Sequence, residues 1–352
     1  MISLLNFEAC GIDISDWGVK YVSLAHRRHG FELKKYGELI LPEGTINGGV
    51  IVNPGTLVDV LKKLKSEVDL NFATATLPEE KGYVVEMQVL ATLERSKLRE
   101  AVELHLEERV PIPISGAIFD YEDSLTHIEQ GDQAVLVTSV VESAVADEYS
   151  KALTEAGLLP LCFEFESQAL ARAVIATGTK DVSMIVDIGR EQSNLSIVVG
   201  EIVHLSASVN VGGGALTKAI EDDLHVSREE AKRLKEEVGL LRRSEGKSPF
   251  GSIVRVASVL RDEIWQRLNY WNSGDSNLGK RSTIARVLLC GGNANIPGLA
   301  EYLTSDMGLP VGLANPWVNM ISFEDYIPPM TRRESLKYCA ALGLALRAHK
   351  EQ

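Results

Sequence analysis

The 352 residues are 45% hydrophobic and 24% charged, the balance of a globular chain that buries its own core, and the length predicts two or more domains. Lys and Arg number 36 against 49 Asp and Glu, a net charge of −13. That surplus argues against a general nucleic-acid binder and against direct adhesion to anionic lipid, since both need a basic footprint. No apolar run approaches the roughly 18 residues of a membrane span, and no basic stretch precedes the first apolar run, as a signal peptide requires. Cys10, Cys162, Cys290 and Cys339 lie far apart without a CxxC pair, which predicts core residues in a reducing compartment and no zinc site. The expectation is a cytoplasmic protein.

Residues 11–24 read as a strand, a tight polar turn and a second strand, and 31–41 as a third strand stopped by Pro42-Glu43-Gly44. Asn53 as N-cap and Pro54 at the first helical position open a helix with the stripe Leu57, Val58, Val60, Leu61 and Leu64. Residues 73–77 form a short strand. A compact α+β unit follows over 78–157: a strand at 83–89, then a helix burying Leu98, Ala101, Val102, His105 and Leu106. Strands at 118–121 and 134–141 and a helix over 142–156 complete it. The second half repeats the opening theme with strands at 182–189, 194–199 and 205–211. Gly212-Gly213-Gly214 then leads into a helix over 215–224. Ser227 with Glu230 makes a capping box for the next helix. Residues 242–251 are a loop whose Arg242 and Arg243 read as solvated charges. A helix over 254–271 is expected to bury Trp265, Leu268 and Trp271. A strand at 285–290 enters Gly291-Gly292, and 334–347 is an Ala/Leu-rich helix.

Two segments share one pattern, an apolar strand ending in Asp-Ile, a turn and a returning apolar strand: Gly11-Ile12-Asp13-Ile14-Ser15-Asp16 and Val186-Asp187-Ile188-Gly189-Arg190-Glu191. A hairpin turn laid over a phosphate needs small residues so that backbone N–H groups reach the oxygens. An acid at the strand end holds Mg²⁺, usually through water. A third element, 288–299, runs from a strand through Gly291, Gly292 and Asn293 to Pro297-Gly298-Leu299, a path that brings backbone close to a flat ligand or a phosphate.

These motifs resemble the actin-like ATPase superfamily, and within it the PilM-like type IV pilus assembly proteins. The intervening segments LPEGTINGGVIVNP (41–54), LEERVPIPISGAIFDYE (106–122), FEFESQALARA (163–173), GGGALTKAI (212–220), ANPW (314–317) and ALGLALR (341–347) are similar as well. The resemblance implies an α/β fold of two duplicated lobes around a nucleotide cleft. Lobe I would hold 1–77, 158–181 and the terminal helix 334–350, with an inserted α+β (1C-like) subdomain at 78–157. Lobe II would hold 182–215 and 285–333, with a helical subdomain at 216–284. It implies ATP or ADP with Mg²⁺ as cofactor. Asp13, Ser15, Lys20, Asp187, Gly189 and Gly213 would lie at the phosphates, Lys235, Gly291, Gly292 and Asn293 at the adenosine, and Asp13 and Asp187 on the Mg²⁺ side through water. The implied function is a cytoplasmic scaffold, peripheral at the inner membrane. It would dock the amino-terminal peptide of a PilN-like membrane protein between lobe I and the insertion, with 110–113 as a wall of that groove. Other pilus assembly components or self-association are further implied partners, with no nucleic acid and no direct membrane insertion.

The phosphate motifs depart from the active pattern. Asp16 and Trp17 replace small hydroxyl residues, Ser15 replaces Gly, and Arg190-Glu191-Gln192-Ser193 replaces a Gly/Ala-Thr continuation. An extra carboxylate from Asp16 or Glu191 about 4 Å from a phosphate charge costs roughly 4 kcal/mol at an effective dielectric of about 20. Lys232 stands where an acid is usual, while Lys235 keeps its place. The departures put hydrolysis in doubt and leave no residue assignable as catalytic base. The alternatives are an active ATPase or small-molecule kinase of the same fold, or an FtsA-like cell-division filament. The first lacks a recognisable acceptor-side base. The second lacks a basic amphipathic terminal helix.

Overall fold

The computed structural model describes residues 9–28, 30–90, 92–124, 133–241, 248–273 and 282–350. In the first half, β1 (Ala9–Ser15), β2 (Gly18–Arg27) and β3 (Gly30–Ile40) form an antiparallel meander. The small hairpin β4 (Ile46–Asn47) and β5 (Val50–Ile51), helix α1 (Pro54–Val68) and strand β6 (Phe72–Leu77) follow. The insertion runs through β7 (Gly82–Leu90), α2 (Arg95–Arg109), β8 (Ala117–Ser124) and β9 (Gln133–Glu142). Then come α3 (Ser143–Glu155), β10 (Leu159–Phe165) and α4 (Glu166–Val174).

The second half holds β11 (Val182–Ile188), β12 (Ser193–Val199), β13 (Ile202–Val209), α5 (Gly213–Leu224), α6 (Arg228–Glu237) and α7 (Phe250–Ser273). It closes with β14 (Ile284–Cys290), α8 (Leu299–Met307), β15 (Val311–Leu313), α9 (Arg332–Ser335) and α10 (Cys339–Lys350).

The sheet orders are β10-β6-β1-β2-β3 and β13-β12-β11-β14-β15. In each, the first strand pairs antiparallel with its hairpin mate and parallel with a strand arriving through a crossover. The duplication inferred from two Asp-Ile strands is thus a duplication of topology. Both first strands are apolar and buried almost end to end, as strands covered on both faces must be.

The insertion is a three-stranded sheet, β7-β9-β8, whose one face packs with α2 into a core of its own containing Met87, Val102, Leu106 and Val140. Helix α3 turns the other way and sinks Tyr149, Ala152 and Leu153 into the lobe I core against α1. Likewise Trp317, Met320 and Met330 leave lobe II and pack with Val22, Leu24 and α10.

The terminal helix α10 is buried on every side, with Leu344 in the lobe II core cluster and Ala341, Leu342 and Ala345 in the cluster against β2. Its crossing with α4 is so close that a Cβ on Gly343 would lie 1.8 Å from the Ala169 carbonyl oxygen. Thr74 Oγ1 donates to the Leu344 carbonyl at 2.7 Å and ties the same helix to β6.

Some local expectations change. Asn53 precedes α1, but its amide donates to the Gly44 carbonyl and does not cap the helix. Ser227 does cap α6, accepting from Glu230 N, while the Glu230 carboxylate turns to Arg233 and leaves the box half made. Leu268 and Trp271 are buried as expected, whereas Trp265 is 37% exposed, because the helix rotates it off the core-facing stripe. Arg242 and Arg243 lie outside the described residues. Among the described residues no helix is long and apolar enough to cross a membrane.

Candidate functional site

The two hairpin turns face each other across a cleft. Its walls include Asp13, Ser15, Asp16, Trp17, Lys20, Thr76, Glu79, Glu166, Asp187, Gly189, Arg190, Gly292 and Asn293. Of the residues read from sequence, Asp13, Ser15, Lys20, Asp187, Gly189, Gly292 and Asn293 line it together. Gly213, Gly291 and Lys235 are not on its surface. Lys235 is buried behind Asn293, donating to Asn293 Oδ1 at 2.8 Å and to the Gly213 carbonyl at 3.1 Å. Burial lowers its pKa to about 8. Asn293 in turn donates to the Gly189 carbonyl at 2.8 Å, and a Cβ on Gly213 would fall 2.0 Å from its Oδ1. Only glycine fits there.

At the floor Lys20 Nζ donates to Asp13 Oδ2 at 3.1 Å. Burial works against the lysine charge, but Asp13, Glu166 and Asp187 outweigh it and hold its pKa above the ordinary value. The acids pay the opposite cost. Burial, then Asp13, raises Asp187 from 3.8 to about 6 against the pull of Lys20. Burial, then Asp187 and Asp13, raises Glu166 well above the usual carboxylate range. Glu166, Glu79 and Thr76 also line the cleft, although no motif in the sequence marks them. Glu166 begins α4, accepts from Asn194 Nδ2 at 2.8 Å and stands between the two Asp-Ile strands. Glu79 accepts from both the Ser167 hydroxyl and N–H. Thr76 Oγ1 accepts the Ile14 N–H.

The departures from the active pattern take definite positions. Asp16 lies on the cleft wall with its carboxylate held by the N–H groups of Gly48 at 2.6 Å and Gly49 at 3.1 Å in the β4–β5 turn. Two N–H dipoles therefore stabilise its charge where it stands. Ser15 donates to the Gly18 carbonyl and closes its own turn. The Arg190 guanidinium lies 4.0 Å over the Trp17 ring, joining one hairpin turn to the other. Gln192 donates to Glu80 across the same gap. Glu191 stays at the rim, 3.6 Å from Arg190 Nε. The first N–H groups of α5, on Gly213 and Gly214, are spent on the carbonyls of Gly189 and Arg190. Among the described residues no three His, Cys, Asp or Glu side chains converge to hold a metal directly.

A second concavity of about 430 Å³ lies between the insertion and lobe I. Strand β8 contributes Ile118 to Glu122 and β10 contributes Phe163 to Phe165, with Leu77, Val141, Ala146, Gln168 and Arg347 around them. Among the described residues each of these strands stands at the end of its sheet order, so each presents a sheet edge. Residues 110–113 are not part of this wall. Val110 and Ile112 are buried in the insertion's own core.

A family model described as type IV pilus assembly protein PilM matches residues 11–349. Among solved structures, a chain of a PilM–PilN type IV pilus biogenesis complex superposes with a TM-score of 0.78 at 22% identity, covering 98% of this chain and 99% of that one. MreB5 of Spiroplasma citri bound to ADP gives 0.55 at 13% identity over 98% and 97% of the two chains. The ethanolamine utilization protein EutJ from Carboxydothermus hydrogenoformans gives 0.54 at 16% over 97% and 90%. The fold is that of the actin-like ATPases, and with the family match spanning nearly its whole length, the chain belongs to the type IV pilus assembly protein PilM family.

Proposed function

We propose that the chain is a nucleotide-binding scaffold of the type IV pilus assembly complex that docks the amino-terminal cytoplasmic segment of a PilN-like membrane protein. The observation that carries this reading is the apolar groove between the edge strands β8 and β10, which stand last in their sheets among the described residues. An extended segment entering there gains backbone hydrogen bonds along an edge and buries alternate side chains, the usual economy of strand addition. The relative with the best superposition named above is itself from a complex of PilM with PilN.

The cleft supports a nucleotide. Asp13 and Asp187 on facing hairpins, with Lys20 between them, suit a phosphate chain with its cation. MreB5 structures of the same fold hold ADP or AMPPNP. The cleft acids Asp13, Asp187 and Glu166 outnumber Lys20, so the donor set fits a hydrated Mg²⁺, which Asp13 and Asp187 would hold through water. Bound there, the ion supplies charge neutralisation to both the carboxylates and the phosphates. Gly189, Gly292 and Asn293 offer backbone and amide groups on the lobe II side. Ser15 and Gly213 support the turns beneath the phosphates, and Lys235 and Gly291 support the adenosine side from behind Asn293.

Calorimetry with the full chain tests the reading. A synthetic amino-terminal segment of the PilN-like partner is expected to bind with micromolar or tighter affinity, and MgADP to bind separately. No heat from the peptide, with or without nucleotide, overturns the docking assignment.

A further inference from the structure

Strand β8 alternates its side chains between two different worlds. Phe119 and Tyr121 pack into the insertion's own core, so Ile118, Asp120 and Glu122 point from the opposite face. That face looks onto the two lobes. Opposite Ile118 on β9 is Val141, which belongs to the lobe I core, and opposite Glu122 is Val137. On the far side of Val137 stands Glu86, whose carboxylate meets His204 of lobe II at 2.6 Å. Two acids therefore sit level on one face of one small sheet. Glu86 has its partner.

Glu122 does not. Among the described residues its carboxylate accepts no hydrogen bond and joins no ion pair. It lies where the apolar groove meets a second concavity lined by Gln168, Arg172, Glu201 and Arg347. Arg172 is committed elsewhere, in a bidentate pair with Glu164 at 2.8 and 2.7 Å. Burial pushes the Glu122 carboxyl above its ordinary value even though Arg172 and Arg347 pull it down. With Arg172 and Glu164 cancelling, Asp120, Glu122 and Glu201 face Arg347, and the wall is acidic. A carboxylate half-buried without a partner is costly, and a cation brought by a ligand removes the cost.

We propose that Glu122 selects the occupant of this groove by pairing with a lysine or arginine side chain on the docked extended segment. Ile118 and Glu122 are four residues apart on one strand, about 13 Å at the usual strand rise. The basic residue then lies about four positions along the segment from the apolar residue that covers Ile118. This rests on the docking assignment made above and adds the charge rule by which the groove chooses.

The test uses the full chain and the synthetic amino-terminal segment of the PilN-like partner, with each Lys or Arg of that segment replaced in turn by Gln. Glu122→Gln is expected to weaken the native segment about tenfold. One of the Gln-substituted segments loses the same factor on the wild-type chain and nothing further on Glu122→Gln. Glu122→Lys should recover binding of the segment carrying Glu at that position, which separates pairing from a folding defect. Unchanged binding by Glu122→Gln, fully additive losses, or tight binding of a segment without basic residues overturns the pairing alone. Failure of the native segment to bind the wild-type chain overturns the docking assignment and the pairing with it.

Discussion

Lys20 meets three carboxylates at the bottom of the cleft, and the strain of that arrangement falls on Glu166 and on Asp187. The folded-state pKa of Asp187, about 6, lies above its ordinary value of 3.8, so folding takes up a proton between roughly pH 4 and 6. Below that window the group is protonated in both states and costs nothing. Above it, the folded chain must hold a buried charge. Asp187→Asn is therefore expected to stabilise the nucleotide-free protein at pH 7 by up to about 3 kcal/mol, and to lose that advantage near pH 4. The same change should weaken MgADP at least tenfold. Urea unfolding at the two pH values with calorimetry checks both halves, and equal stability at pH 7 would show that the charge is not strained. The residue that makes this cluster a cluster, Glu166, is not legible in sequence. Asp13 and Asp187 announce themselves by a repeated strand motif, while Glu166 is one acid among several in FEFESQAL and gains its place only when α4 swings between the lobes.

Helices α4 and α10 are the elements that join the two halves, and their crossing depends on the absence of a side chain at Gly343. A methyl group there would overlap the Ala169 backbone, which cannot move without dragging α4 and the Arg172–Glu164 pair, whose side chains are 10% and 6% exposed. Gly343→Ala is expected to cost more than about 3 kcal/mol despite its better helix propensity, and denaturant melts of the purified variant measure it. A stability within 1 kcal/mol of wild type would mean the helices slide apart freely. At this scale much of the fold could be read beforehand. Apolar runs, Pro54, the glycine turns and the Ala/Leu tail fix most element positions, since each is a local signal. What faces what is not local. The 110–113 segment looks like a junction because of its two prolines, yet Val110 and Ile112 fill the insertion's core. Trp265 shares spacing with Trp271 but rotates outward on a helix whose buried stripe is narrow. Asp16 reads as a repulsive charge until Gly48 and Gly49 bring their N–H groups to it from thirty residues away.

Across the whole molecule the cleft is closed by contacts that belong to neither lobe alone. Arg190 over Trp17 bridges the two hairpin turns, and Gln192 of the second turn donates to Glu80 in the segment that follows β6. The residues that break the phosphate pattern in sequence are thus the residues that make the bridge, and this explains how an arginine and a tryptophan are accommodated where small side chains are usual. A partly exposed cation–π pair contributes about 0.5–1 kcal/mol. If it forms only when the lobes are closed, its removal multiplies the open population by about two- to fivefold. A nucleotide that enters and leaves through the open form then does both faster by that factor, with little change in affinity. Stopped-flow mixing of Arg190→Ala with a fluescently labelled ADP analogue and Mg²⁺ reads the two rate constants directly. Parallel acceleration identifies the Arg190–Trp17 contact as the bar across the cleft. Weaker affinity with an unchanged entry rate would instead place the Arg190 guanidinium on the phosphates, and unchanged rates would leave it as surface packing with no hold on the lobes.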